Sequence, residues 1–155
     1  MLFTNRCVLT KLADTDYADV LRLYKDEEVR RFSYFRVAMM KDRVIAFLLA
    51  MQAGVPYHND NFSWFSSRYD NFLYIDRIVV ERDFQGSGIG SLLYQDVFAF
   101  AGNANIPRLT CEINTVPPNR PSTAFHSRHG FVEVGSQWLD DGKKKVSMQV
   151  ASVHG

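Results

Sequence analysis

A glycine-rich segment between a predicted strand and a predicted helix carries the clearest chemical signal in the sequence. Residues 79–90 read Val-Val-Glu-Arg-Asp-Phe-Gln-Gly-Ser-Gly-Ile-Gly. Glycine lets backbone amides approach a ligand closely, and the first N–H groups of a helix have no acceptor inside it. With the positive end of the helix dipole, these groups favour a phosphate or pyrophosphate. The segment therefore predicts an anion-binding loop, and a plain tight turn is the alternative.

Two familiar phosphate-binding motifs do not fit this segment. A Walker A loop needs a lysine directly after its second glycine, and the residue directly after Gly90 is Ser91. A dinucleotide fingerprint needs Gly-x-Gly-x-x-Gly early in the chain, with an acidic residue about 20 positions later. Here Gly86, Gly88 and Gly90 alternate with other residues and lie past the middle of the chain. Spacing and placement exclude both motifs.

The loop resembles the Gln/Arg-x-x-Gly-x-Gly/Ala loop of the GNAT superfamily of acetyl-CoA-dependent N-acyltransferases, with Gln85, Gly88 and Gly90 at its defined positions. Residues 119–131 are similar to the family's Asn-x-x-Ala/Ser-x-x-Phe-Tyr-x-x-x-Gly-Phe segment. The two motifs occur in the family's order and at its expected separation. The close similarity covers roughly residues 72–135, and the N-terminal third agrees only in its pattern of elements.

The resemblance implies how acetyl-CoA is held as co-substrate. The loop amides would bind its pyrophosphate, the backbone of the preceding strand would pair with its pantetheine arm, and the second motif would contact that arm. The implied binding residues are Ile78, Val79, Val80, Gln85, Gly86, Ser87, Gly88, Ile89, Gly90, Ser91, Asn119, Ser122 and His126. No cysteine or histidine spacing indicates a metal site.

The resemblance also implies direct attack of a neutral amine on the thioester, with no covalent intermediate on the protein. An alkyl ammonium has a pKa of about 10.4, so a base or a water chain must first remove a proton. Asp76 interrupts an apolar strand and Glu112 lies on the polar face of the next strand, so both are candidate bases. The alternatives are a buried ion pair for Asp76 and a solvated position for Glu112. The N–H of Val80 is the expected oxyanion donor, and we expect Glu81 and Asp83 to be exposed.

His126 stands where the family usually has the tyrosine that protonates the departing CoA thiolate. A histidine, with a pKa of about 6.5, donates from its protonated form and matches a thiol of pKa about 8.5 less well than tyrosine does. Two roles for His126 stay open: the acid, or a wall of the CoA tunnel.

Hydrophobic periodicity predicts the elements that must position these residues. The predicted strands are residues 7–12, 35–40, 44–51, 72–80 and 108–114, and two more around Asp140-Asp141-Gly142. The predicted helices are residues 17–24 behind the Asp14-Thr15-Asp16 cap, residues 88–101, and a short helix ending at Gly130. Together with the resemblance, they indicate an α/β (α+β) GNAT fold, a mixed sheet of about six or seven strands flanked by about four helices.

Residues 52–71 break this periodicity. They contain Gly54, Pro56 and five aromatic residues, which are Tyr57, Phe62, Trp64, Phe65 and Tyr69. A loop of this length inside a compact domain is uncommon and often functional. Two interpretations stay open: a short helix or turn that packs its aromatics on the core, or a flap that faces the acceptor.

Composition fits one domain over residues 1–155. Eighteen basic and seventeen acidic residues give a net charge of +1, so we expect neither nucleic acid nor an anionic membrane as partner. The longest apolar run, residues 44–51, is far shorter than the about 20 residues that span a bilayer. Two isolated cysteines, Cys7 and Cys111, and the lack of an export signal predict a cytoplasmic protein with free thiols.

The sequence therefore predicts a single-domain N-acetyltransferase that moves an acetyl group from acetyl-CoA to a primary amine of a small molecule or a peptide. Two alternatives on the same fold stay open. One is a non-catalytic acyl-CoA-binding sensor, which the histidine at position 126 keeps in play. The other is a protein-interaction module that grips its partner with the aromatic residues 57–69. A homodimer is open as well.

Overall fold

The computed structural model of the chain describes residues 7–11 and 33–154. These residues form seven strands and three α-helices. The strands are β1 Val8–Lys11, β2 Tyr34–Met40, β3 Arg43–Gln52, β4 Leu73–Val80, β5 Arg108–Val116, β6 Val132–Leu139 and β7 Lys144–Ser152. The helices are α1 Asp60–Ser66, α2 Ile89–Asn103 and α3 Arg120–Arg128. The predicted helix over residues 17–24 lies outside the described residues.

The strands form one mixed sheet in the order β1-β2-β3-β4-β5-β7-β6. β2 pairs antiparallel with β1 and β3, and β7 pairs antiparallel with β5 and β6. β4 and β5 are parallel, with Leu73 opposite Leu109 and Tyr74 opposite Thr110. This arrangement confirms the predicted fold class and the predicted strands. Within the described ranges, no helix is long and apolar enough to cross a membrane.

Packing divides the chain into two compact units. One comprises the described part of Met1–Met51 together with Ile75–Val97, and the other comprises Gln52–Tyr74 with Phe98–Gly155. The boundaries fall inside β4 and inside α2, so both of these elements contribute to both units. In the first unit, residues of the β2–β3 hairpin form a buried apolar cluster. Its members are Val37, Val44, Phe47 and Leu49.

Residues 52–71 contain helix α1 instead of a continuous loop. Asn59 caps this helix, because its side-chain oxygen accepts the N–H groups of Asn61 and Phe62 at 2.9 and 3.0 Å. Phe62 and Phe65 are buried. Their rings contact those of Phe72 and Tyr74, with centroids 5.5 to 6.2 Å apart. For these two residues the structure supports the packed-helix interpretation; Tyr57, Trp64 and Tyr69 are half-buried.

Two further contacts fix α1 on strand β6. The Trp64 ring lies directly over Gly135, where an added Cβ would come within 2.5 Å of Trp64 Cζ2. The side-chain amide of Gln137 donates a hydrogen bond of 2.7 Å to the Asn61 side-chain oxygen. The absence of a side chain at Gly135 is therefore what lets the helix approach the sheet so closely.

Candidate active site

Strand β4 changes character halfway along its length. Leu73, Tyr74 and Ile75 are buried, whereas Arg77 is exposed and residues 78–80 are half-buried. Only the first half of β4 is therefore fully covered. This half-buried apolar end leads directly into the glycine-rich loop, so part of its surface is exposed beside the loop.

Side chains of the glycine-rich loop bond to the loop's own backbone. The amide nitrogen Nε2 of Gln85 donates to the carbonyl oxygen of Val80 at 3.1 Å. The hydroxyl of Ser87 donates to the carbonyl oxygen of Phe84. These bonds occupy the main-chain carbonyl oxygens of Val80 and Phe84, both of which precede Gly86, and so stabilise the turn.

The start of helix α2 has the features of an anion site. Gly86 and Gly88 have φ of 77° and 90°, a region that favours glycine. The N–H of Leu92 bonds to the carbonyl of Gly88 at 3.1 Å, so the earlier N–H groups of Ile89 and Gly90 have no acceptor within the helix. A Cβ at Gly86 would meet nothing within 4 Å, and the first turn carries no acidic residue. A phosphate group fits these features.

The two acidic residues beside the loop differ in their surroundings. Asp83 is exposed, as expected. The expectation for Glu81 is wrong: its side chain keeps only 14% of its exposure and forms an ion pair with Arg43 at the start of β3. The N–H of Glu81 also donates to the carbonyl of Ile45 at 2.8 Å. Glu81 thus anchors the end of β4 to the neighbouring hairpin.

Glu112 forms a contact that the sequence analysis did not anticipate. The hydroxyl of Tyr74, on β4, lies 2.7 and 2.9 Å from the two carboxylate oxygens of Glu112, on β5. Tyr74 is fully buried and Glu112 is half-buried. A tyrosine in an apolar strand ordinarily indicates core packing, and only the strand pairing reveals what its hydroxyl meets.

Asp76, the other candidate base, is also half-buried. It lies two residues after Tyr74 on β4 and belongs to the first unit, whereas Glu112 belongs to the second. For Glu112, the structure identifies the phenol that holds the carboxylate.

The second motif comprises the N-cap of α3, the whole helix and the turn that follows it. Asn119 is the N-cap, because its side-chain oxygen accepts the N–H of Ser122 at 3.2 Å. One turn later His126 is buried, with Nδ1 2.7 Å from the carbonyl oxygen of Ser122 and 3.2 Å from its hydroxyl. The structure thus brings Asn119, Ser122 and His126 together on one short helix.

The protonation of His126 follows from its surroundings. Burial lowers the pKa of its imidazole, the hydrogen bond to Ser122 opposes that shift, and the nearby His129 adds to it. A carbonyl oxygen can only accept, so Nδ1 carries the proton of the neutral ring and Nε2 is its lone-pair nitrogen. At neutral pH the ring is therefore mostly neutral, which disfavours a protonated imidazole as the resting acid.

The described cysteines do not form a nucleophilic centre. Cys7 and Cys111 are free thiols. Burial, and then the charge of Glu112, raise the pKa of Cys111 well above its ordinary value, so the thiol stays neutral. Within residues 7–11 and 33–154, no three His, Cys, Asp or Glu side chains form a group that could hold a metal ion.

A family model described as the Acetyltransferase (GNAT) family matches residues 7–131 of the chain. No curated protein sequence matches the chain. Several solved structures share its fold. Ard1 from Thermoplasma volcanium superposes with a TM-score of 0.75 at 15% identity, over 97% of this chain and 99% of that one.

Two other similar structures contain CoA compounds. Naa50 from Arabidopsis thaliana, in complex with the bisubstrate analogue CoA-Ac-MVNAL, has a TM-score of 0.74 at 14% identity, over 95% of this chain and 99% of that one. A GNAT family acetyltransferase from Elizabethkingia anophelis with acetyl-CoA bound has a TM-score of 0.68 at 14% identity, over 96% and 99%. At such identities the likeness establishes the fold alone.

Proposed function

Because the chain belongs to the GNAT family of acetyltransferases, we propose that it moves an acetyl group from acetyl-CoA to a primary amine by direct attack. The family match over residues 7–131 makes the chain an acyltransferase with acetyl-CoA as its co-substrate. The observation that carries the site assignment is the loop from Gln85 to Gly90, which ends in N–H groups that have no acceptor within the helix.

The residues around this loop have the groups that acetyl-CoA needs. We assign the pyrophosphate to the amides of residues 85–91, because unpaired helix N-terminal N–H groups and the helix dipole both favour an anion. We assign the pantetheine arm to the backbone of residues 78–80, which are half-buried residues at the end of β4. Two residues of α3 would complete the contacts. The side-chain oxygen of Asn119 is used by the cap, so its Nδ2 would be the donor to the arm, and Ser122 lies beside it.

Acetyl-CoA supplies an activated acetyl thioester. In the transfer the amine nitrogen bonds to the acetyl carbon, the carbon–sulfur bond breaks, and CoA leaves as a thiol. We assign Glu112 as the base that takes the proton of the ammonium before attack, because its carboxylate is half-buried and accepts the Tyr74 hydroxyl. Asp76 is the alternative base. The N–H of Val80 would stabilise the oxyanion.

His126 is proposed as a wall residue near the CoA thiol. Its buried, mostly neutral ring offers a lone pair at Nε2 in the tautomer set by Ser122. Such a ring can accept from a donor, but it cannot give the leaving thiolate a proton from Nε2 without first gaining one. Water would then carry to the thiolate the proton that the amine nitrogen loses as the amide forms.

The acceptor is proposed to be a primary amine, either small or peptidic. Naa50 was solved with the bisubstrate analogue CoA-Ac-MVNAL, so peptides with a free N-terminus belong in the set to be tested. We also propose a cytoplasmic location, on the isolated free cysteines.

An amine panel with a thiol readout tests the proposed function. The panel contains peptides with free N-termini, polyamines, amino acids and aminoglycosides. CoA release that depends on one amine class supports acetyl transfer. Acetyl-CoA binding without release for any amine would instead favour the acyl-CoA sensor.

A further inference from the structure

The hydroxyl of Tyr74 contacts both oxygens of the Glu112 carboxylate, at 2.7 and 2.9 Å. A phenol has one proton to donate, and an ionised carboxylate, which the proposed base requires, would accept it with both oxygens in a bifurcated bond. Tyr74 is fully buried and Glu112 is half-buried. The phenol therefore fixes the carboxylate of a residue that is itself only half-buried.

The Tyr74 ring is itself fixed by helix α1. Its centroid lies 5.7 Å from that of Phe62 and 6.0 Å from that of Phe65. Phe72, two residues before Tyr74 on the same strand, contacts both of these rings at 5.5 and 6.2 Å. Tilted and edge-on contacts of this kind orient an aromatic ring as well as burying it. The direction of the Tyr74 hydroxyl thus depends on aromatic residues of segment 52–71.

We propose that Tyr74 is a positioning residue for the Glu112 carboxylate, and that helix α1 acts on acetyl transfer through this pair. The proposal rests on the proposed function, since it needs Glu112 as the base. Under this proposal, segment 52–71 affects the reaction indirectly and not as a flap that faces the acceptor. Phe62 and Phe65 orient the Tyr74 ring, and the Tyr74 hydroxyl orients the Glu112 carboxylate. A hydrogen bond to a carboxylate also favours its ionised form, which is the form that accepts a proton.

Glu112 has in the Tyr74 phenol a polar contact that one substitution removes without a change of charge. Met148 of β7 is its cross-strand partner and carries no charge. The adjacent Cys111 thiol is neutral, because burial and then Glu112 raise its pKa. Substitution at Tyr74 therefore alters the hydrogen bonding of the carboxylate without introducing or removing a charge nearby.

Tyr74→Phe is the test, because it keeps the ring and removes only the hydroxyl. We expect kcat/KM for the amine to fall about tenfold, and the acidic limb of the pH–rate profile to move upward by about one pH unit, since the protonated carboxyl is then favoured. In a Glu112→Gln background, Tyr74→Phe should cause no further loss. Tyr34→Phe is the matched control, because Tyr34 is also buried and its hydroxyl bonds to the carboxylate of Asp96. The control should leave the acidic limb in place.

A second measurement does not depend on activity. The Glu112 carboxyl can be titrated by ¹³C NMR in the wild-type protein and in Tyr74→Phe, and we expect a higher midpoint in the variant. An unchanged midpoint together with an unchanged acidic limb would overturn the proposal and leave Tyr74 as a packing residue. Wild-type protein that acetylates no amine would contradict the proposed function. A raised NMR midpoint in that inactive protein would preserve the contact but overturn its role in catalysis.

Discussion

The side-chain amide of Gln85 donates a hydrogen bond to the main-chain carbonyl of Val80, 3.1 Å away. This bond ties the glycine-rich loop to the last residue of β4. Because the N–H of Val80 is the proposed oxyanion donor, the bond links the part of the loop assigned to the pyrophosphate with the part assigned to the thioester. Gln85, at the first position of the family motif, therefore supports the loop through its side chain, while its backbone N–H belongs to the group assigned to the pyrophosphate.

Gln85→Leu should weaken acetyl-CoA binding about two- to tenfold, the equivalent of one lost hydrogen bond. Gln85→Arg keeps a donor at this position and should retain most of the affinity. Isothermal titration with acetyl-CoA measures both. Equal affinity of the wild-type protein and Gln85→Leu would show that the bond does not support the loop.

Gly88→Asp should abolish acetyl-CoA binding, because it places a carboxylate where the pyrophosphate is assigned and strains a backbone with φ of 90°. Saturating the wild-type protein at about 100 times the dissociation constant should stabilise it by about 2.7 kcal/mol. Thermal shift with acetyl-CoA measures the difference. Gly142→Asp is the control, since Gly142 has a similar φ of 84° in the β6–β7 turn. A full shift in Gly88→Asp would refute the loop assignment.

Glu112→Gln should lower turnover by about 10²- to 10⁴-fold with acetyl-CoA affinity nearly intact, because the base is lost and the shape is kept. Asp76→Asn, the same change on β4, should have a much smaller effect. Steady-state kinetics with the best amine of the panel compares them. The reverse order would identify Asp76 as the base, and full activity in both would assign proton removal to water.

His126→Phe should reduce turnover only slightly and should make stability less sensitive to acid. Burial lowers the pKa of His126 below its ordinary value of 6.5. Below that value the unfolded chain gains a proton at this position that the folded chain resists, so folding is progressively disfavoured as the pH falls. The melting temperature of His126→Phe should therefore drop less than that of the wild-type protein between about pH 7.5 and about pH 5.5. An equal drop would contradict this assignment, and a large loss of turnover would restore His126 as the acid.

Gly135→Ala and Phe65→Ala should both act on stability and not on acetyl-CoA binding. Gly135→Ala places its methyl carbon 2.5 Å from Trp64 Cζ2 unless the ring shifts. The second empties a fully buried aromatic site and should cost about 3–5 kcal/mol. Denaturant unfolding and acetyl-CoA titration on the same samples separate the two effects. Weaker acetyl-CoA binding at unchanged stability would mean that α1 contacts the co-substrate.

The glycine-rich loop and the second motif could be predicted from local sequence patterns. The Gln85–Gly90 spacing and the Asn119 cap are each contained within a few residues, so the sequence displays them directly. The strands were predictable for the same reason, because alternation is a local property. The sequence leaves a short helix in residues 52–71 as one of two interpretations, although Asn59 is a good N-cap residue, because Gly, Pro and aromatic residues surround a helix of only seven residues.

The contacts that define the proposed base were not predictable, because they join residues far apart in the chain. Tyr74 meets Glu112 only because β4 pairs with β5, which sets Tyr74 opposite Thr110. The sequence predicts an exposed Glu81, because its partner Arg43 lies far away in the chain, at the start of β3. Long-range pairing decides which polar groups meet, and a single sequence does not encode that pairing in any short segment.

A single-turnover experiment with isotope-labelled acetyl-CoA and a responsive amine tests direct transfer most directly. Mass spectrometry follows the label on the amine and on the intact protein. Direct attack predicts that the labelled acetyl group appears on the amine, at the rate of thiol release, and never on the protein. Thiol release without an acetylated amine, or an acetylated protein that forms and decays before the product appears, would contradict it.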